Sequence, residues 1–224
     1  VSEWWTYTLS DFLLFAPRTY YRLVELYNRE IWPAQLLALG AGGAILLASR
    51  RGGAAPGRLV AALLAGCWLW IAWGFHLQRY ATINWAATYF AAAFAIEAAL
   101  LVWTGVVRGR LAFGSIDPVV RRAGLGVIGF ALVVQPLIGP LAGRDWAQAE
   151  VFGTAPDPTA VATLGVLLLA SDRVRWALLV VPALWCAVTG ATLWAMGAPD
   201  AAVAPLAALV VLAAAIRRTR SMRG

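Results

Sequence analysis

The sequence predicts an all-α, polytopic integral membrane protein, with seven transmembrane helices preceded by an N-terminal helix at the membrane interface. Three observations carry that expectation. Of 224 residues, 62% are apolar and only 13% are charged, about half the charged share of a soluble domain. Such a chain could not cover its own surface in water. The apolar residues fall into stretches long enough to cross a bilayer, and the loops between them alternate between arginine-rich and arginine-poor.

Residues 1–30 are expected to form an extracytoplasmic segment. They open Val1-Ser2-Glu3-Trp4-Trp5, which lacks the basic-then-apolar pattern of a cleavable signal. They carry four acids, Glu3, Asp11, Glu25 and Glu30, against three Arg. Tyr20, Leu23, Val24 and Tyr27 fall at i, i+3, i+4 and i+7, an amphipathic stripe suited to a helix anchored in the outer interface by its aromatics.

Residues 31–216 form the transmembrane domain. Five spans have 18 to 21 residues: Ile31–Ser49, Leu59–Leu77, Phe90–Val107, Ala123–Leu141 and Trp176–Met196. About 20 residues cross the hydrocarbon core. Thr159–Ala170 and Ala202–Ile216 are shorter, at 12 and 15 residues. Arginine placement argues that both cross. Arg50, Arg51 and Arg58 follow the first span, Arg108, Arg110, Arg121 and Arg122 the third, and Arg173 and Arg175 the fifth. With Arg217, Arg218, Arg220 and Arg223 in the basic tail, residues 217–224, 13 of 18 arginines share one side. The positive-inside rule makes that side cytoplasmic, with the N-terminus outside and the C-terminus inside. The expected location is the cytoplasmic (inner) membrane of a bacterium.

The same distribution excludes several functions. The net charge of +7 comes from small arginine groups rather than the continuous basic stripe of a nucleic-acid binder. There is no Lys, so chemistry built on a lysine Schiff base or a P-loop is excluded. The single histidine cannot provide bis-histidine haem ligation. Cys67 and Cys186 lie inside apolar segments without CxxC spacing and read as buried hydrophobes. Met196 and Met222 are too few for a copper relay. No HExxH or GxSxG motif is present, and no nucleophile is paired with a base, so the reading leans away from an enzyme and names no cofactor. Trp32, Trp85, Trp103, Trp176 and Trp194 near span ends are expected as interfacial anchors, with Trp68 and Trp185 packed deeper. Gly40, Gly43, Gly124 and Gly190 are expected to permit close helix contacts.

Polar residues inside apolar spans carry the functional information. Glu97 is the one acid well inside a clear span, roughly 16 Å from the cytoplasmic boundary at 1.5 Å per residue. It is protonated, paired or part of a proton or cation path; the structural alternative is a neutral glutamic acid bonded to a neighbouring helix. Gln35, His76, Asn84, Tyr89, Gln135, Thr189 and Thr192 lie in the outer half. They outline a vestibule opening outward with Glu97 at its floor, or else a polar rim facing headgroups. Before the short fifth span, Asp157 precedes Pro158 as a helix cap would. The loop bearing Glu150 and Asp157 reaches membrane depth only if it is buried in protein or lines a cavity.

Tyr27-Asn28, Ile31-Trp32-Pro33-Ala34-Gln35, Ile83-Asn84-Trp85-Ala86, Phe152-Gly153 and Pro156-Asp157-Pro158-Thr159, taken in this order along the chain, resemble the bacterial membrane family catalogued as domain of unknown function 6064. Many relatives look like Pro-Cys-Pro-Thr at the last of these, so any chemistry of that cysteine does not carry over to Asp157. The resemblance implies a multi-span inner-membrane protein and supplies no activity.

Two functional expectations follow. In the first, a small solute or cation binds in, or moves through, an outward-facing pocket made by Glu97, His76, Asn84, Gln135, Glu150 and Asp157. In the second, the chain is a structural or assembly subunit that docks through its N-terminal aromatic helix. Expected partners are membrane lipids and, for the second, other membrane subunits or further copies of the chain.

Overall fold

Proline at the first turn starts three of the helices, where its missing N–H costs no hydrogen bond. The computed structural model describes residues 13–114, 116–171 and 173–221. Glu3, Asp11, the opening Val1-Ser2-Glu3-Trp4-Trp5, Met222 and Arg223 lie outside them. The described residues form α1 (Pro17–Glu30), α2 (Ala34–Ser49), α3 (Ala54–Thr82), α4 (Ala87–Val107), α5 (Pro118–Leu141), α6 (Pro156–Leu168), α7 (Trp176–Ala195) and α8 (Val203–Ser221). Pro17, Pro118 and Pro156 sit in the first turns of α1, α5 and α6. The Asp117 carboxylate caps α5, accepting from the Val119 and Val120 N–H groups at 2.7 and 3.2 Å. Helices α3, α4 and α5 each contain a stretch of wider π-helical turns; the one in α3 carries His76.

Helices α2 to α8 alternate in direction between two ends. At one end Gly53, Phe113 and Ala170, which follow α2, α4 and α6, are joined by two isolated β-bridges. Arg218, near the end of α8, donates to the Leu168 carbonyl there at 3.0 Å. At the other end Arg79 pairs with Glu30, and Arg144 after α5 pairs with Asp200 after α7. The helix ends therefore group as the loop arginines group them, into an arginine-rich end and an opposite, acid-bearing end.

Four helices, α3, α4, α5 and α7, are long and apolar enough to cross a membrane, or five if α1 and α2, bent by 88°, count as one span. Seven were expected. The difference has a plain cause: α2 has 16 residues and α6 only 13, while α8 has 19 but carries Arg217, Arg218 and Arg220. Every residue of α6 is buried. A helix enclosed on all sides needs no polar face. Around it, α2, α3, α4, α5, α7 and α8 expose large apolar side chains such as Leu37, Trp73, Ile96, Val133, Leu184 and Leu209. An outer surface of that kind is compatible with lipid.

Small residues bring α6 against its neighbours. A Cβ at Gly165 would lie 2.9 Å from the Gly124 carbonyl oxygen on α5 and 3.1 Å from the Ile128 nitrogen. Gly190 likewise faces Pro205, whereas Gly40 and Gly43 have nothing within 4 Å and make no close contact. The α5–α6 contact is backbone on backbone, so Gly165→Ala cannot be accommodated by a rotamer change. Its expected cost is about 1–3 kcal/mol, seen as a lower thermal midpoint of the purified protein; an unchanged midpoint would mean that the two helices can part freely.

The amphipathic stripe of α1 is present, but it faces the protein. Tyr20, Leu23, Val24 and Tyr27 are only 7%, 9%, 3% and 2% exposed. The expected aromatic anchor in the interface is therefore replaced by an internal contact. The tyrosine rings pack on Phe75 and Tyr80 of α3, and their hydroxyls find acceptors within the chain, which satisfies each polar tip where it is buried.

Candidate functional site

The loop between α5 and α6 is held by groups from α1 and α2. Tyr27 Oη donates to the Thr154 carbonyl at 2.9 Å, and Trp70 Nε1 in turn donates to Tyr27 Oη at 2.9 Å. Asn28 Nδ2 donates to the Ala147 and Ala149 carbonyls, both at 2.9 Å, while Gln35 Nε2 donates to the Asn28 carbonyl at 2.7 Å. Within the loop Gly153 has φ +79°, and a Cβ there would lie 2.9 Å from Ala38 Cβ and 3.1 Å from Cys67 Sγ. Both the left-handed backbone and the lack of space require glycine. The Gly153 N–H donates to Thr159 Oγ1 at 2.7 Å, and that hydroxyl donates to the Ala155 carbonyl at 2.8 Å. The start of α6 is thus fixed inside the protein.

Asp157 is not the cap of α6. The helix begins at Pro156, with Ala155 at the capping position and no side-chain cap. Asp157 lies within the first turn, 3% exposed, where a helix N-terminus favours negative charge. Its Oδ1 accepts from Trp185 Nε1 and from Thr189 Oγ1, both at 2.7 Å and both from α7. An N-cap carboxylate would instead have bonded its own helix; here α7 supplies better-placed donors.

Beside Asp157 lies a cavity of about 20 Å³, bounded by Gln135, Gly139, Arg144, Gln148, Glu150, Asp157 and Asp200 together with apolar neighbours. That volume suits a single water-sized occupant. Tyr20 Oη donates to Glu150 Oε1 at 2.9 Å. Arg144 pairs with Asp200 and lies over the Tyr21 ring, 5.0 Å from its centre. Two acceptors at the cavity, Gln135 Oε1 and Asp200 Oδ1, are buried and accept no hydrogen bond. Three carboxyl groups face one guanidinium, so acids outnumber bases at the cavity. Burial, and then the neighbouring Asp157 charge, push the Glu150 carboxyl well above the usual carboxylate range, against the opposing pull of Arg144 and the Tyr20 hydrogen bond.

A profile for the Family of unknown function (DUF6064) matches residues 18–223. The chain belongs to the DUF6064 family. No curated protein and no solved structure matches it. In this DUF6064 protein the segments Tyr27-Asn28, Gln35, Phe152-Gly153 and Pro156-Asp157-Pro158-Thr159, far apart in sequence, converge on the loop that forms one wall of the cavity.

Three of the six expected site residues, Gln135, Glu150 and Asp157, line this cavity; Glu97, His76 and Asn84 do not. Asn84 Oδ1 accepts from the Ala86 N–H at 3.0 Å, ordering the turn into α4. His76 is fully buried among rings, its centroid 4.5 Å from that of Phe94 and 5.0 Å from that of Trp185. Neither of its nitrogens has a hydrogen-bond partner. Glu97, one turn beyond Phe94 on α4, is also fully buried, and neither carboxyl oxygen is bonded. Trp185 separates the two regions, with its ring against His76 and its Nε1 on Asp157.

Tyr20, Arg144, Gln148, Trp185 and Asp200 were missed as site residues in the DUF6064 chain. A signal for two of them existed: Arg144 and Asp200 are opposite charges in neighbouring arginine-poor loops. Among the described residues no group of three or more His, Cys, Asp or Glu is arranged to hold a metal ion.

The Glu150 environment sets a pH dependence. As pH rises above the ordinary carboxyl range the folded protein keeps a proton at Glu150 that the unfolded chain has released, so stability falls until the raised Glu150 carboxyl itself titrates and levels off above that. Thermal midpoints measured over that rise should decline, and Glu150→Gln should flatten the decline. An equal slope in the variant would place the titration elsewhere.

Proposed function

We propose that this DUF6064 protein binds a small cation, or the cationic end of a small solute, in the acidic cavity beside Asp157. We further propose that α2 to α8 are seven membrane crossings, with the cavity facing outward and the arginine-rich end cytoplasmic, in a bacterial inner membrane. The observation that carries the binding reading is the pair of buried, unsatisfied acceptors, Gln135 Oε1 and Asp200 Oδ1, beside the Glu150 and Asp157 carboxylates. Acceptors without donors in a small acidic space call for a cation or an N–H donor. The topology rests on the alternating helix ends, on the positive-inside rule and on the complete enclosure of α6. That enclosure frees so short a helix from having to match the bilayer alone.

Binding is better supported than open passage. Inward of Asp157 the route is closed by Trp185, His76, Phe90, Phe94 and Trp68, whose rings contact one another. Glu97 lies beyond this plug as a second acidic station, reached only when the rings move. The assembly reading is weaker, because the aromatic face of α1 on which it rested is covered by the chain's own loop and α3.

Calorimetric titration of the purified protein with sodium, potassium and ammonium chloride tests the reading. Saturable binding of at least one of these is expected, weakened about tenfold or more in Glu150→Gln; binding by none of the three would refute it. Glu97→Gln should leave this binding intact while slowing radiotracer uptake into liposomes. If uptake is unchanged, Glu97 is not on the path.

A further inference from the structure

At the arginine-rich end, a cleft of about 370 Å³ opens between the end of α2, the segment after α4 and the start of α5. Its polar lining is Ser49, Arg50, Arg51 and Arg121, and its walls include Phe113 and Leu125. Among the described residues no acidic side chain lines it. Arg50, Arg51 and Arg121 make no ion pair among the described residues. Their like charges repel across a shared space unless an anion joins them.

Ser49 supplies the second, independent observation. A helical hydroxyl ordinarily turns back onto the carbonyl four residues earlier. Thr159, Thr163, Thr192 and Thr219 all do so here, at 2.7 to 2.9 Å. Ser49 does not. It is 7% exposed, its Oγ is buried without a partner, and it lines the cleft. A buried hydroxyl in a cleft also lined by three exposed arginines offers a donor set for a tetrahedral oxyanion, since guanidinium pairs bidentately with phosphate oxygens.

We propose that this cleft binds a phosphate group, with Ser49 Oγ donating at its base and Arg50, Arg51 and Arg121 neutralising its charge. Two sources share that chemistry: the headgroup of an anionic phospholipid, whose acyl chains would follow the apolar walls, and a free phosphate. The cleft and the acidic cavity lie at opposite ends of the helices and share no lining residue.

Native mass spectrometry of the full chain in a non-ionic detergent, titrated with phosphatidylglycerol and with phosphatidylcholine, reads the lipid arm. Calorimetric titration with inorganic phosphate reads the other. Phosphatidylglycerol is expected to bind at least about tenfold more tightly to wild type than to an Arg50→Gln/Arg121→Gln double variant, and Ser49→Ala should weaken it several-fold. Arg18→Gln, at an exposed arginine on α1, serves as the control and should change nothing. Inorganic phosphate binding with the same dependence on Ser49 and the arginines assigns the cleft to a soluble phosphate; binding confined to phosphatidylglycerol assigns it to lipid. The proposal is overturned if neither ligand binds. It is also overturned if the arginine effect vanishes in high salt while Ser49→Ala behaves as wild type, because the cleft is then only part of a diffuse positive surface. Melting curves of each variant separate lost binding from lost fold.

Discussion

Asp157→Asn is expected to leave the protein folded and abolish cation binding, while Asp157→Ala abolishes both binding and much of the stability. The two substitutions separate the roles of one carboxylate. Asparagine keeps an oxygen where Asp157 Oδ1 accepts from Trp185 Nε1 and Thr189 Oγ1, and loses only the charge that a cation needs. Alanine leaves both donors buried and unpaired, each at roughly 1–3 kcal/mol. Calorimetric titration with the three chlorides and thermal melts should therefore give a near-normal midpoint without binding for Asn, and a clearly lowered midpoint for Ala. Retained affinity in Asp157→Asn would move the site away from this residue. A normal midpoint in Asp157→Ala would mean that Trp185 and Thr189 find other acceptors.

Gly57→Ala should have the largest effect on folding. A Cβ at Gly57 would lie 1.4 Å from the Leu111 carbonyl oxygen and 2.6 Å from its carbon. The obstacle is backbone, so α3 must separate from the strip at 111–113 that bridges Gly53 to Ala170 through Phe113. A cost of about 3 kcal/mol or more is expected, at the upper end of overpacking effects. Yield from membranes and the fraction running as a monodisperse peak on size exclusion would both fall. A variant that purifies like wild type would show that this strip is free to shift.

Much of the fold was legible because it depends on periodicity and charge. The i, i+3, i+4, i+7 stripe of α1 marked the helix and its buried face, and the arginine groups marked which helix ends meet. The stripe could not say what it packs against, because lipid and a polar loop can both accept a tyrosine-rich face. The crossing of α6 and α8 was expected from arginine placement, which reports the side of a loop and says nothing of apolar length, while α2, expected to run 19 residues, has 16 because its first residues belong to the bend after α1.

The candidate site was only half legible. Glu150 and Asp157 stood out as acids beside a proline-rich helix start. Arg144 and Asp200 did not, since a charge in a loop is ordinary until the fold sets it against its opposite. Glu97 and His76 drew notice through their polarity, but depth along a span does not determine which neighbour a side chain faces. The glycines show the same limit: Gly165 and Gly57 matter more than Gly40 and Gly43, and nothing local distinguishes them.

The bond from Arg218 to the Leu168 carbonyl adds a time to the architecture. Its partners are 50 residues apart, and a chain is synthesised at about 5–20 residues per second. The last turn of the innermost helix therefore waits roughly 2.5 to 10 s for the guanidinium that completes it. During that interval the innermost helix lacks the bond that closes its last turn, so the centre of the protein is finished only when the C-terminal helix is in place.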